Sequence, residues 1–187
     1  GSAVGGAMVA TDRRTSGAQL EDQGIELRAS NRLRDPLGER GNVSVTSYNR
    51  QVLLTGEVPT EADKAAVEKT VAGVDNVRGT VNELAMLGAS SLTQRSSDTL
   101  ITGRVKAAMV DARDLSANAV KVVTTRGAVY LMGRVTQREA DRATELTRNT
   151  PGVQRVVRVL EIISEEELAR MLAQPTPAPV KDATPAK

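Results

Sequence analysis

The chain has 187 residues, 40% hydrophobic and 26% charged, with a formal net charge of +2. It contains no His and no Cys. Their absence excludes disulfides, thiolate nucleophiles and most zinc or copper sites, and removes the commonest general base at neutral pH. No run of about 20 apolar residues is present, so no membrane-spanning helix is expected. The only aromatic residues are Tyr48 and Tyr130, so any core must be built from Val, Leu, Ile, Ala and Met. Nucleic-acid binding by base stacking is disfavoured for the same reason.

Residues 1–21 are mostly small and polar and are expected to form a flexible arm. The first folded unit is expected over residues 22–85. A helix over about 23–34 places Ile25, Ala29 and Leu33 on one side. Asn42-Val-Ser-Val-Thr46 and Val52-Leu-Leu-Thr-Gly-Glu-Val58 alternate with period two, which predicts a hairpin turning at Asn49-Arg50 with one buried face. Thr60 and Asp63 open a second helix, and Gly73 is expected to end it. A last strand follows over about 77–84. Residues 86–97, with Leu-Gly-Ala-Ser-Ser and Arg-Ser-Ser, read as a linker.

The same order then returns at an offset of about 77 residues, so the chain is a tandem of one small unit, too long in period for a solenoid. The second unit is expected over residues 98–163. Its first helix covers about 98–112. Ala119-Val-Lys-Val-Val123 and Val129-Tyr-Leu-Met-Gly-Arg-Val135 form the hairpin, with Arg126-Gly127 at the turn. A helix opens at Thr136 with Glu139 and is expected to stop at Gly152. A strand follows over about 155–163. Gly56 and Gly133 sit at matching places in the second strand, where a glycine usually marks a bulge or a close approach; a helix packed over that spot is the expectation. Ser164 and Glu167 have capping-box spacing, which predicts a short helix over 164–173 with Leu168, Met171 and Leu172 on its apolar side. Residues 174–187 are rich in Pro and Ala and read as a disordered tail. The fold class is α+β, two tandem α-β-β-α-β units, each with two helices on a three-stranded sheet. A unit of roughly 62 residues is marginal alone, so the copies are expected to pack on each other or on flanking segments.

The copies differ in surface. Residues 22–84 carry 8 basic and 10 acidic side chains, residues 98–160 carry 11 and 6. In the second unit Ile101, Val105, Ala108, Met109 and Ala112 make the core stripe of the first helix. A separate stripe runs through Leu100, Gly103, Ala107 and Val110, flanked by Arg104, Lys106 and Arg113. A small apolar stripe edged by cations fits an interfacial lipid contact, each well-placed cation adding about 1 kcal/mol near an anionic surface. Burial against the other copy, the linker residue Leu92 or the C-terminal helix is the alternative for this stripe, and a protein partner is a third. In the first unit only Leu27 stands as an isolated apolar residue on the corresponding helix.

The α-β-β-α-β order, the Val-x-Leu-x-Gly-x-Val strand and the Gly-Val-x-x-Val that follows the second helix resemble the BON domain, named for bacterial osmotic-shock and nodulation proteins. Ser97-Asp-Thr-Leu-Ile-Thr102 and the stretch from Thr124 to Ala140 carry the resemblance most specifically, and with Ala-Thr-Asp12-Arg-Arg-Thr-Ser-Gly17-Ala-Gln it covers about residues 10–163. Two copies in this spacing are similar to dual-BON outer-membrane lipoproteins of Gram-negative bacteria. That resemblance implies a periplasmic protein held at the outer membrane by a lipidated N-terminal Cys, which this chain lacks. It also implies binding to anionic phospholipid and support of envelope integrity and cell division. Close relatives carry a Trp where this chain has Leu100, so the apolar contact is kept and the polar handle of the ring is lost.

The leading functional expectation is therefore a non-enzymatic lipid-binding module acting through the second unit as a monomer. The alternative is a periplasmic adaptor that binds an envelope protein through a sheet edge or the C-terminal helix. No Walker sequence or Gly-rich dinucleotide turn is present. No catalytic residue, metal or cofactor is assigned.

Overall fold

The computed structural model describes residues 12–173. The expected arm over residues 1–11 and tail over 174–187 lie outside the described residues. In chain order the elements are α1 (Ser16–Leu37), β1 (Asn42–Tyr48), β2 (Gln51–Glu57), α2 (Glu61–Ala72), β3 (Gly79–Asn82), α3 (Leu92–Asp111), a 3-10 turn at Ala117–Ala119, β4 (Val120–Thr125), β5 (Ala128–Val135), α4 (Gln137–Arg148), β6 (Arg155–Ile162) and α5 (Glu165–Ala173). Each copy is α-β-β-α-β. The sheet orders are β1-β2-β3 and β4-β5-β6. The hairpin pair is antiparallel, and the last strand joins the centre in parallel through the crossover helix.

The hairpins close with two residues each. Asn49 and Arg50 have φ of 50° and 68°, and Arg126 and Gly127 have 51° and 79°. Positive φ at both positions matches the right-handed twist of the flanking strands, but three of the four residues have a Cβ that disfavours it. A carboxylate near the start of each first helix holds the turn in place. Asp22 accepts the N–H groups of Asn49 and Arg50 at 2.7 and 2.8 Å, and the hydroxyl of Ser47 at 2.8 Å. Asp98 accepts those of Arg126 and Gly127 at 2.8 and 2.9 Å. Both carboxylates are buried. Burial pushes Asp22 up, but the bonds from Arg50, Ser47, Asn49 and Arg14 outweigh it and hold the carboxyl below its ordinary value.

Helix ends depart from the sequence reading at several points. α1 begins at Ser16 instead of about 23, because Thr15 caps it by accepting the Ala18 N–H and because the preceding residues are tied down. Arg14 bridges Asp12 and Asp22 at 2.9 and 3.0 Å. Arg13 reaches across to the second copy, where its two terminal nitrogens donate to both oxygens of Glu139 at 2.7 and 2.8 Å and one also donates to the Arg134 carbonyl. Residues 12–21 are thus part of the folded body and not of an arm. α3 begins at Leu92, capped by Ser91, so residues 92–97 are helix and not linker. Gly73 caps α2 with φ −85°, a conformation open to any residue. α4 ends at Arg148 with Asn149 as its cap, so Gly152 does not end a helix.

Gly56 and Gly133 mark a close approach, but the approaching group is backbone at the start of the paired strand, Asn42 of β1 and Ala119 of the turn just before β4, and not a helix packed over the sheet. A Cβ at Gly56 would overlap the Asn42 carbonyl oxygen, and one at Gly133 the Ala119 carbonyl oxygen. Gly56 also has φ +115°, which a residue with a side chain rarely adopts.

The sheets were expected to bury one face. They bury two. Toward the helices, Ile25, Leu33, Val52, Leu54, Val58 and Val71 fill the first core, and Ile101, Val105, Met109, Val129, Leu131 and Val135 the second. A third cluster joins the opposite faces of the two sheets: Tyr48 and Leu53 from one, Ala128, Tyr130 and Met132 from the other. The order of layers is helix, sheet, sheet, helix. Both aromatic residues of the chain lie in the middle layer, each under an arginine: Arg14 over Tyr48 at 4.5 Å and Arg155 over Tyr130 at 5.9 Å. Ion pairs ring the seam, Arg126–Glu57 at 3.2 Å, Lys121–Glu26 at 3.4 Å, and Arg78–Glu161 and Arg155–Glu83 at 3.5 Å.

Replacing Gly56 with Ala is expected to cost at least about 2 kcal/mol in urea unfolding, from strain and overlap together. Gly133→Ala meets only the overlap and is expected to cost less. The Arg13–Glu139 side chains are 6% and 4% exposed, so Arg13→Ala leaves a buried carboxylate short of its partner and should cost about 3 kcal/mol. Burial raises the pKa of Glu139, while Arg13 and the Thr136 amide lower it, and the net effect is a carboxyl below its ordinary 4.5. A depressed folded-state pKa stabilises the fold above the unfolded value and is lost as pH falls through the folded one. The unmodified chain should therefore lose stability as pH falls below about 4, and Glu139→Gln should flatten that loss in an acid titration.

Candidate functional site

α3 is seated by its inner face. Ile101, Val105 and Met109 are at most 3% exposed, and Ala108 and Ala112 are partly buried beside them. The helix passes close over the loop that follows α4. A Cβ at Gly152 would stand 3.0 Å from the Ile101 side chain, and Gly152 itself has φ +95°. Gly152 thus lets the loop approach α3, and Arg104 on the next turn donates to the Pro151 carbonyl of the same loop at 3.3 Å. This places the site by a contact that sequence reading assigned to helix termination.

The outer face of α3 is open. Leu100 is 54% and Val110 68% exposed, and Gly103 and Ala107 between them are exposed as well. Nothing lies within 4 Å of a Cβ placed on Gly103. The stripe is buried neither by the other copy, nor by Leu92, which is itself 73% exposed, nor by α5. Its cations are arranged unequally. Arg104 is fixed by the Pro151 carbonyl, whereas Lys106 and Arg113 are exposed and have no ion pair or side-chain hydrogen bond among the described residues. One exposed acid, Asp111, lies next to Val110. Asp114, just beyond the helix, is engaged by Arg142 of α4 at 3.1 Å. What this surface can do chemically is bury a shallow aliphatic strip while two free cations meet anionic groups.

The first copy offers a different surface. With α1 starting at Ser16, Leu20 joins Leu27 on the helix, at 70% and 64% exposure. Gly24 between them is not open, because the Arg28 guanidinium lies 2.9 Å from where its Cβ would be. Arg28 is held there by Glu21 at 2.7 Å. At the offset set by Asp22 and Asp98, Gly24 corresponds to Leu100 and Leu27 to Gly103, so an ion pair lies where α3 exposes Leu100.

Among the described residues, no group of three or more His, Cys, Asp or Glu is placed to hold a metal, and no helix is long and apolar enough to cross a membrane. The buried carboxylates Asp22, Asp98, Glu57 and Glu139 are each engaged by hydrogen bonds within the fold. Sequence reading found Glu139 as the capping partner of Thr136 but missed the other three. The recurrence of Asp22 as Asp98 at the repeat offset was the available signal for two of them.

The BON domain matches residues 21–88 and 97–164. Outer membrane lipoprotein DolP of Haemophilus influenzae is 36% identical over 160 residues, covering 84% of this chain and 82% of its own. The 21 kDa hemolysin of Actinobacillus pleuropneumoniae is 33% identical over 154 residues, with coverages of 81% and 79%. The osmotically-inducible protein Y of Escherichia coli is 30% identical over 118 residues, 62% of this chain and 59% of its own. The two matched segments coincide with the two α-β-β-α-β copies, and the chain belongs to the BON-domain family, with two such domains in tandem.

Proposed function

We propose that this chain is a non-enzymatic binding protein of the outer-membrane envelope that contacts anionic phospholipid through α3 of its second BON domain. The observation that carries this reading is the uncovered stripe Leu100–Gly103–Ala107–Val110 with Lys106 and Arg113 free beside it. Apolar side chains that enter the acyl boundary and cations that meet phosphates are the two parts of an interfacial helix contact. The similarity to a protein named as an outer membrane lipoprotein supports a location at that membrane. On this reading the periplasmic leaflet is the target surface, the chain acts as a monomer, and its cellular role lies in envelope integrity and cell division. Leu100 in place of an aromatic makes the contact shallow and leaves a larger share of the affinity to charge.

Co-sedimentation with vesicles tests the assignment. Vesicles containing phosphatidylglycerol or cardiolipin should bind the chain, and pure phosphatidylcholine should not. Raising salt from 10 to about 150 mM should weaken binding, because exposed charges are screened beyond about 8 Å at that ionic strength. Leu100→Glu, or joint replacement of Lys106 and Arg113 by Ser, should lower binding about tenfold with an unchanged circular dichroism spectrum. Equal binding by Leu100→Glu would remove α3 from the contact.

A further inference from the structure

The layer between the two sheets is apolar at one end only. On β2, Leu53 enters that layer, and Thr55 and Glu57 follow on the same face by the period of a strand. Ser44 and Asn42 stand opposite them on β1. At the offset that aligns Gly56 with Gly133, Thr55 corresponds to Met132, which is buried in the same layer. The scaffold therefore accepts a large apolar residue at this position and does not require a hydroxyl. Around the polar residues a cleft of about 240 Å³ lies between the copies. Its other wall is β4, through Val123 and Thr125, and one flank of α3, through Arg95 and Thr99.

Two groups in this cleft stand without partners. Thr55 is 2% exposed, yet among the described residues its side chain makes no hydrogen bond. Its oxygen is not sealed off by the fold, so it meets the cleft. A buried hydroxyl left unpaired costs stability, and the second copy shows that the cost was avoidable. Arg95 is exposed on the flank of α3. Its carbonyl accepts from the Thr99 hydroxyl at 3.0 Å, but among the described residues its guanidinium has no ion pair or hydrogen bond. The acids of the cleft are engaged already. Glu57 accepts from Arg126 at 3.2 Å and from the Ser90 amide at 3.1 Å, and Asp98 holds the turn amides of Arg126 and Gly127. The groups open to a ligand are the hydroxyls of Ser44, Thr55, Ser90 and Thr125, and one guanidinium.

We infer that this cleft binds a small polyol carrying one phosphate group, free in solution, with the polyol against the hydroxyls and the phosphate at Arg95. A hydroxyl both donates and accepts, as the hydroxyls of a polyol do. A guanidinium presents the donor fork that phosphate oxygens match. Sites for drug-sized ligands occupy about 300–1,000 Å³, so this smaller cleft takes a ligand near the size of one sugar or inositol ring. Leu100, Gly103, Ala107 and Val110 do not line it, so nothing at the site calls for an acyl chain. It is thus separate from the lipid contact proposed for α3.

The test is a titration of the full chain followed by amide shifts in NMR spectra, with myo-inositol 1-phosphate as probe and no membrane present. The amides of Thr55, Ser90, Arg95, Thr99 and Thr125 should shift together. Inorganic phosphate and myo-inositol alone should each bind about tenfold more weakly. Thr55→Val should weaken the probe by about tenfold with an unchanged melting temperature, and Arg95→Gln should abolish its advantage over myo-inositol. No shift at the cleft, or unchanged affinity in Thr55→Val, would overturn the inference. Inorganic phosphate binding as well as the probe would mean an adventitious ion only, and overturn it. Shifts with dihexanoyl phosphatidylinositol and none with the free probe would assign the cleft to a lipid headgroup and overturn it as well.

Discussion

The structure depends on the burial of one sheet face by another. Each BON copy places both helices on one side of its sheet, and the far side of the central strand is apolar: Leu53 in the first copy, Tyr130 and Met132 in the second, each at most 1% exposed. A domain of this size with helices on one side alone cannot cover both faces, and exposed strand faces of this kind associate. The duplication answers this by setting copy against copy. The layer between the sheets also explains where the chain spends its two aromatic residues. They sit where the largest apolar area is needed per residue, with arginines over their rings and the Tyr130 hydroxyl bonded to Glu83 and Arg155.

Once the sheets are joined, the surrounding charges take on positional roles. The seam pairs are partly exposed and each contributes little to stability. Their effect is to fix the angle and register of two faces that hydrophobic contact alone would leave loosely oriented. Arg13 is the exception. Its guanidinium and Glu139 are buried together, and the same carboxylate completes the capping box of α4 with Thr136. A residue ahead of the first helix thereby stabilises the second domain, which makes residues 12–15 a strap between the copies.

Much of the fold was legible in the sequence because its signals are local. Val52, Leu54 and Val58 alternate, Thr60 and Thr136 cap, and the whole pattern recurs. What could not be read depended on distant partners. The order in residues 12–21 comes from Arg13 meeting Glu139, and nothing in the local sequence announces a partner that far along the chain. Leu53 and Met132 looked like outward positions of half-buried strands, because the sheet that covers them belongs to the other copy. Gly56 and Gly133 signalled close approach correctly, but period alone does not say whether helix or strand approaches. Gly152 looked like a helix stop and is a contact with Ile101. On the outer face of α3, the helical wheel identified which residues share a side, and only the packing could show that nothing covers them.

The back-to-back arrangement has a geometric corollary. Two helix layers on opposite outer faces cannot both lie against one plane. Whatever flat surface the second domain meets, the first domain must point away from it, as the reverse of a coin does. Natural selection could therefore alter the two outer faces separately while the shared interior held both to the same scaffold. Gly24 sealed under an ion pair and Leu100 exposed at the matching position are two outcomes of that freedom.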